Sequence, residues 1–284
     1  MNPLTLPASL VDSQWLATHL GHPDLVVLDA SWYMPAAKRS GEQEWGQQRI
    51  PGARFFDFDS QIKDQNSPLP HMLPPAAQFS RQVSALGINN HHRIVIYDGD
   101  GIFAAPRAWW MFKAMGHEQV AVLDGGLPGW IAQHLPLESS APAPVTQGRF
   151  VAQPQAAWIA NAEQVQAALS QPQHRILDAR SRERFSGQAA DPRPGVRAGH
   201  MPGAVCLPFT ELLDQGHFLP REQLTQTFDA LVTREQNLIF SCGSGVTAAI
   251  LALAADITGH DKIAVYDGSW TEWGGSAHLP VVVD

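Results

Sequence analysis

The hexapeptide Cys242-Gly243-Ser244-Gly245-Val246-Thr247 puts a thiol, a hydroxyl and two glycines into one short loop. An apolar run, Leu238 to Phe240, precedes it, and an alanine- and leucine-rich stretch reaching Ile257 follows. Strand, tight glycine loop and helix in that order make an anion cradle. Glycine opens backbone angles that let successive N–H groups turn towards one point. The start of the helix adds unsatisfied donors and the positive end of its dipole. A cysteine there loses its proton more readily, and the thiolate is the nucleophile. Ser244 can face the sulfur or a substrate, and Thr247 is expected to cap the helix or support the loop. The only other cysteine, Cys206 in Ala204-Val205-Cys206-Leu207, has no such loop and reads as a small core residue.

A second stretch, Arg180 to His200, holds five arginines among glycines and prolines: Arg180, Arg182, Arg184, Arg193 and Arg197. Irregular segments of this length are often functional. Guanidinium binds carboxylate in a two-pronged fashion, so a clamp is expected among Arg182, Arg184, Arg193 and Arg197, with a solvated basic loop as the alternative. His71 lies in a proline-rich loop, and Asp57 and Asp59 follow an aromatic stretch and can orient it. No histidine falls into a ligand-like cluster with cysteine, so no metal site is expected.

The elements that must position these groups repeat. Leu25-Val26-Val27-Leu28-Asp29 has its match in Arg175-Ile176-Leu177-Asp178, and Ile50-Pro51-Gly52-Ala53 in Met201-Pro202-Gly203-Ala204. Val120–Leu123 followed by Asp124-Gly125 and Trp130 corresponds to Ile263–Tyr266 followed by Asp267-Gly268 and Trp273. Offsets near 150 residues are too long for a solenoid and point to a duplicated domain. The bounds read as 1–135 for the first copy, a Pro-, Ala- and Ser-rich linker over 136–154, and 155–284 for the second. Helices are expected at Ser13–Leu20, capped by its serine, and from Ala76 to Leu86. Strands alternating with helical patterns predict an α/β fold in each copy, a mostly parallel sheet flanked by helices. Ligands of such sheets sit beyond the carboxyl ends of strands, where Cys242 lies. Its counterpart in the first copy is Asp98, so only the second copy can run thiol chemistry.

Composition sets the outer limits. The chain has 284 residues, 44% of them hydrophobic and 16% charged, as a globular protein has. A net charge of -8 without a basic block argues against nucleic acid, and no apolar run is long enough to span a bilayer. Two cysteines do not make a disulfide framework, and the N-terminus does not read as a secretory signal. The cytoplasm is the expected compartment.

The loop CGSGVTA, both Pro-Gly-Ala segments and both Asp-Gly…Trp endings resemble the two-domain rhodanese superfamily over nearly the whole chain, and within it the 3-mercaptopyruvate sulfurtransferases. The resemblance implies two tandem rhodanese-like domains, the first without a catalytic cysteine. It implies that Cys242 accepts sulfur as a persulfide, with Gly243, Gly245, Val246 and Thr247 around the substrate. It puts the donor's carboxylate and carbonyl on Arg184 and Arg193, and a proton relay on Ser244, His71 and Asp59, with Asp57 as the other choice of acid. Donor 3-mercaptopyruvate would leave as pyruvate, and a thiol such as reduced thioredoxin or a small thiol, or cyanide in an assay, would take the sulfur. No metal or organic cofactor is implied. Thiosulfate-type members resemble this loop but carry basic side chains within it, where this sequence has Gly243 and Ser244. Thiosulfate:cyanide sulfur transfer is therefore the alternative, and a non-catalytic persulfide carrier a more distant one. A cysteine-dependent phosphatase usually needs an arginine closing the loop, and Gly243 to Thr247 contains none.

Overall fold

The computed structural model describes residues 4–284. Its contacts divide the chain into two compact units: 1–65, 73–155 and 214–218 form the first, and 66–72, 156–213 and 219–284 the second. Among the described residues, no helix is long and apolar enough to cross a membrane.

In the first unit, strands β1 (Leu10–Val11), β2 (Leu25–Asp29), β3 (Arg54–Phe55), β4 (Arg93–Tyr97) and β5 (Val120–Leu123) line up as β1-β5-β4-β2-β3. Every neighbouring pair is parallel. Helices α1 (Ser13–His19), α2 (Gly41–Gln47), α3 (Ala76–Ala85), α4 (Ala105–Ala114) and α5 (Gly126–Ala132) connect them. The expected helix at Ser13 is present, but its cap is Asp12, whose carboxylate accepts from Trp15 N–H at 2.7 Å. Ser13 is already inside the first turn, because an acid one residue earlier outcompetes it as acceptor.

In the second unit, β6 (Ile159–Ala160), β7 (His174–Asp178), β8 (Val205–Cys206), β11 (Asn237–Ser241) and β12 (Ile263–Tyr266) take the matching order β6-β12-β11-β7-β8. These pairs are parallel too. The short strands β9 (Leu213–Asp214) and β10 (His217–Phe218), of which 214–218 group with the first unit, form a separate two-stranded ribbon. The helices are α6 (Ala162–Ala168), α7 (Arg182–Ser186), α8 (Arg221–Asp229), α9 (Ala248–Ile257) and α10 (Ser269–Gly275). In β4 and β11 every residue but the first is buried, as central strands of a covered parallel sheet must be. The duplication reaches single atoms. Trp130 Nε1 donates to Pro136 O at 2.7 Å and Trp273 Nε1 to Pro280 O at 2.8 Å.

The stretch whose composition marks it as a linker does not hang free. Through Gln155 it groups with the first unit. Glu138 and Arg49 exchange backbone hydrogen bonds at 3.0 and 2.9 Å, the buried Arg49 guanidinium reaches Glu138 Oε1 at 2.6 Å, and Phe150 is in the core. Proline blocks regular pairing, yet isolated backbone bonds and one aromatic anchor suffice to dock the segment.

Candidate active site

The sulfur of Cys242 sits where β11 ends and α9 has not begun. Residues Ala248 to Ala255 of α9 are all buried, so the helix is apolar all round and fixed by packing on every side. Cys242 itself is 1% exposed. The loop is held from outside by the first turn of α10. Trp270 N–H donates to Cys242 O at 2.9 Å, and Thr271 N–H and Oγ1 donate to Gly243 O at 2.9 and 2.6 Å. In a trans peptide N–H and C=O point opposite ways. With both carbonyls held by α10, the N–H groups of Gly243 and Ser244 are directed away from it. Ser269 Oγ accepts from Cys242 N–H at 3.2 Å and donates to Tyr266 O at 2.8 Å. These two bonds compensate a left-handed backbone at Ser269, φ 50°, which a non-glycine residue adopts at a cost. Gly245, at φ 79°, then turns its own N–H onto Cys242 Sγ at 3.1 Å. The Cys242 sulfur thus faces a backbone donor.

Two of the five arginines face this loop. A Cβ at Gly243 would stand 3.3 Å from Arg184 Nη2 and 3.3 Å from Arg193 Nη1, so both guanidinium groups lie directly over the glycine. The other three are engaged elsewhere. Arg180 is buried, pairs with Asp178 at 2.8 Å, donates to Gly199 O and lies over the Trp270 ring. Arg197 donates to the carbonyls of Trp273, Gly274, Ser276 and Leu279 at the end of α10. Arg182 makes an exposed pair with Glu211 at 2.7 Å. Arg184 and Arg193 are joined by Asp191, a residue that composition alone did not single out. Its carboxylate, 1% exposed, takes Arg184 Nη2 at 2.5 Å and the Arg193 backbone N–H at 2.9 Å, with Arg193 Nη1 3.9 Å away.

The remaining expectations divide. Ser244 and Val246 are buried in the loop. Thr247 occupies the N-cap position of α9, but its side chain makes no cap hydrogen bond; its backbone is already helical, which carries the hydroxyl away from the N2 and N3 donors. His71 is buried in the same unit as Cys242, with a left-handed backbone at φ 62°. Asp57 and Asp59 belong to the first unit. There Asp57 caps its own turn, accepting from the N–H groups of Asp59 and Ser60 at 3.1 and 2.8 Å and from Ser60 Oγ. Cys206 is not the core residue its neighbours suggest: it is half-buried at the end of β8, and its thiol is pushed up to about 11, by burial first and by Asp178 next. Among the described residues, no group of three or more His, Cys, Asp or Glu is placed to hold a metal ion.

A model of the rhodanese-like domain matches residues 12–133 and again 161–276. The chain belongs to the rhodanese family. Thiosulfate/3-mercaptopyruvate sulfurtransferase 1, mitochondrial, of Arabidopsis thaliana is 43% identical, over 96% of this chain and 77% of that protein. The 3-mercaptopyruvate sulfurtransferase of Homo sapiens is 42% identical, over 93% of this chain and 91% of its own length. The crystal structure of SseA from Escherichia coli, a 3-mercaptopyruvate sulfotransferase, shares the fold with a TM-score of 0.84 at 36% identity, covering 93% of this chain and 99% of that one. Each rhodanese-like match contains four of the five strands of one sheet, and the second contains Cys242, Arg184 and Arg193.

Proposed function

We propose that the chain is a sulfurtransferase that takes sulfur from 3-mercaptopyruvate onto Cys242 and hands it to a thiol acceptor. The observation that supports this reading best is the placement of two guanidinium groups, Arg184 and Arg193, over the uncharged Gly243 beside the thiol. The donor carries one carboxylate and one carbonyl, which suit a planar double donor. The Cys242 thiolate attacks the donor's sulfur, so an S–S bond forms while the C–S bond breaks. The electron pair left on carbon is the enolate of pyruvate, which is protonated to pyruvate, through Ser244 and His71 in this proposal. Gly245 N–H is placed to stabilise the sulfur's charge before and after transfer. A second thiol, a reduced thioredoxin or a small thiol, or cyanide in an assay, then takes the outer sulfur and regenerates Cys242. A free nucleophilic thiol suits a reducing compartment, and we assign the chain to the cytoplasm.

The alternative donor, thiosulfate, is a dianion. Related loops that use it resemble this one but carry basic side chains, and a basic side chain at 243 would bring a third positive charge against both guanidinium groups, which stand 3.3 Å from its Cβ. Incubation with 3-mercaptopyruvate followed by intact mass measurement is expected to show a gain of one sulfur, absent in Cys242→Ser. In steady state the specificity constant for mercaptopyruvate should exceed that for thiosulfate; the reverse order would sink the assignment of donor.

A further inference from the structure

Between the two arginines over Gly243 lies a carboxylate that the reaction itself does not require. The Asp191 side chain is almost fully buried, and both charged groups that face it are arginines: Arg184 from α7 and Arg193 from its own loop. Its two oxygens are used differently. Oδ2 grips the Arg184 guanidinium at 2.5 Å, whereas Oδ1 accepts the backbone N–H of Arg193 at 2.9 Å and so fixes the turn through Pro192. One side chain thereby sets the place of both cations. It also sets their charge: two guanidinium groups and one carboxylate leave a single net positive charge above the loop. The neighbouring Asp178–Arg180 pair neutralises itself and is directed to Gly199 and Trp270.

We propose that Asp191 is a positioning and specificity-determining residue, which orders the arginine pair and trims its charge to match a donor carrying one negative charge instead of two. This rests on the donor reading above. An added positive charge favours a dianion about twice as strongly as a monoanion at the same distance. Without the Asp191 carboxylate the site would shift towards thiosulfate, and it would also lose the alignment that two-pronged carboxylate binding needs.

The test compares Asp191→Asn with Asp191→Glu on both donors. Asp191→Asn keeps the shape and removes the charge. It is expected to raise KM for mercaptopyruvate about tenfold with kcat within about threefold, and to move the mercaptopyruvate-to-thiosulfate ratio of kcat/KM about tenfold towards thiosulfate. Asp191→Glu keeps the charge and displaces it by one methylene, so KM for mercaptopyruvate should rise while that ratio stays within about threefold. Discharge of a preformed Cys242 persulfide by cyanide should persist in both, which separates lost positioning from a collapsed loop. A ratio unmoved in Asp191→Asn, or moved equally by both variants, would overturn the proposal. Should Asp191→Asn not fold, an unchanged mercaptopyruvate KM in Asp191→Glu would overturn it instead. The shift is read against whichever donor the unmodified protein prefers. A wild-type preference for thiosulfate therefore removes the donor assignment, while an absent shift removes Asp191's role.

Discussion

The same strand–loop–helix cradle is built in both units, and the residue at the strand's end decides what becomes of it. In the first unit Asp98 fills it. Its Oδ2 accepts from the N–H groups of Phe103, Ala104 and Ala105 at 2.9, 2.8 and 2.7 Å, and Oδ1 from Asp100 N–H at 2.9 Å. In the second unit Cys242 Sγ receives Gly245 N–H. The support beneath is equivalent: Leu127 N–H holds Asp98 O, as Trp270 N–H holds Cys242 O, both at 2.9 Å. One cradle is filled by a carboxylate with four backbone donors; the other holds a thiol with a single one from Gly245. Burial raises the pKa of Asp98 while its four N–H donors oppose that. Near the first cradle Arg39 pairs with Glu44 and with Asp100. Around the second, Arg184 and Arg193 share one carboxylate.

The sharpest way to break the comparison is to truncate both residues. Cys242→Ala should abolish sulfur transfer, by about 10⁴-fold or more, while costing about 1 kcal/mol or less of stability. Asp98→Ala should do the opposite. Leaving buried N–H groups without their charged acceptor is expected to cost about 4 kcal/mol in the first unit's unfolding transition, with turnover per folded molecule unchanged. Urea denaturation and steady-state assays on the same samples read both.

A smaller contrast lies at the ends of β2 and β7. Asp178 is paired with Arg180, so Asp178→Asn should destabilise the second unit by about 3 kcal/mol near neutral pH, as breaking a buried pair does. Asp29 has Ser31 in the corresponding place, with Ser31 N–H and Oγ donating at 2.9 and 2.5 Å. Its carboxyl is raised to about 6, burial being the main cause and Ser31 opposing it. The sign follows. Between the ordinary value of 3.8 and about 6, the folded form binds more protons than the unfolded one, so this group's contribution to stability falls as pH rises through that window. Asp29→Asn should therefore gain on wild type as pH rises from 4 to 6, reaching about 2 kcal/mol, and show no gain below that window. A constant difference across that range, by denaturant titration at each pH, would argue that Asp29 is not held neutral by burial.

Much of the site was legible because its signals are local. The Cys242 loop carries its chemistry in consecutive residues, and the repeat made the matching sheets and the Asp98 counterpart visible without coordinates. Spacing alone left Arg184 and Arg193 among four clamp candidates, and only the family resemblance singled them out; the fold gives Arg180, Arg182 and Arg197 other partners. Asp191 was hidden because an acid beside prolines and arginines reads as a solvated turn until its burial is known. Ser269 and Thr271 were hidden for another reason. They reach the loop from a helix that follows the next strand, and no spacing in sequence encodes which carbonyl an N–H will meet. The Thr247 cap failed on backbone angle, and the linker failed because composition reports what a segment cannot form and not where it docks.

The way the chain distributes itself between its units has a consequence for dissection. It passes from one to the other at 65/66, 72/73, 155/156, 213/214 and 218/219. A gene cut between the two copies would strand pieces on both sides. The N-terminal product would lack 214–218, whose His217 Nδ1 and Phe218 N–H each meet an Asp124 carboxylate oxygen at 3.0 Å. The C-terminal product would carry Cys242, Arg184 and Arg193 but leave behind His71. The duplication is thus no longer modular: its halves have become interdependent by exchange of short segments, and only the uncut polypeptide contains either unit whole.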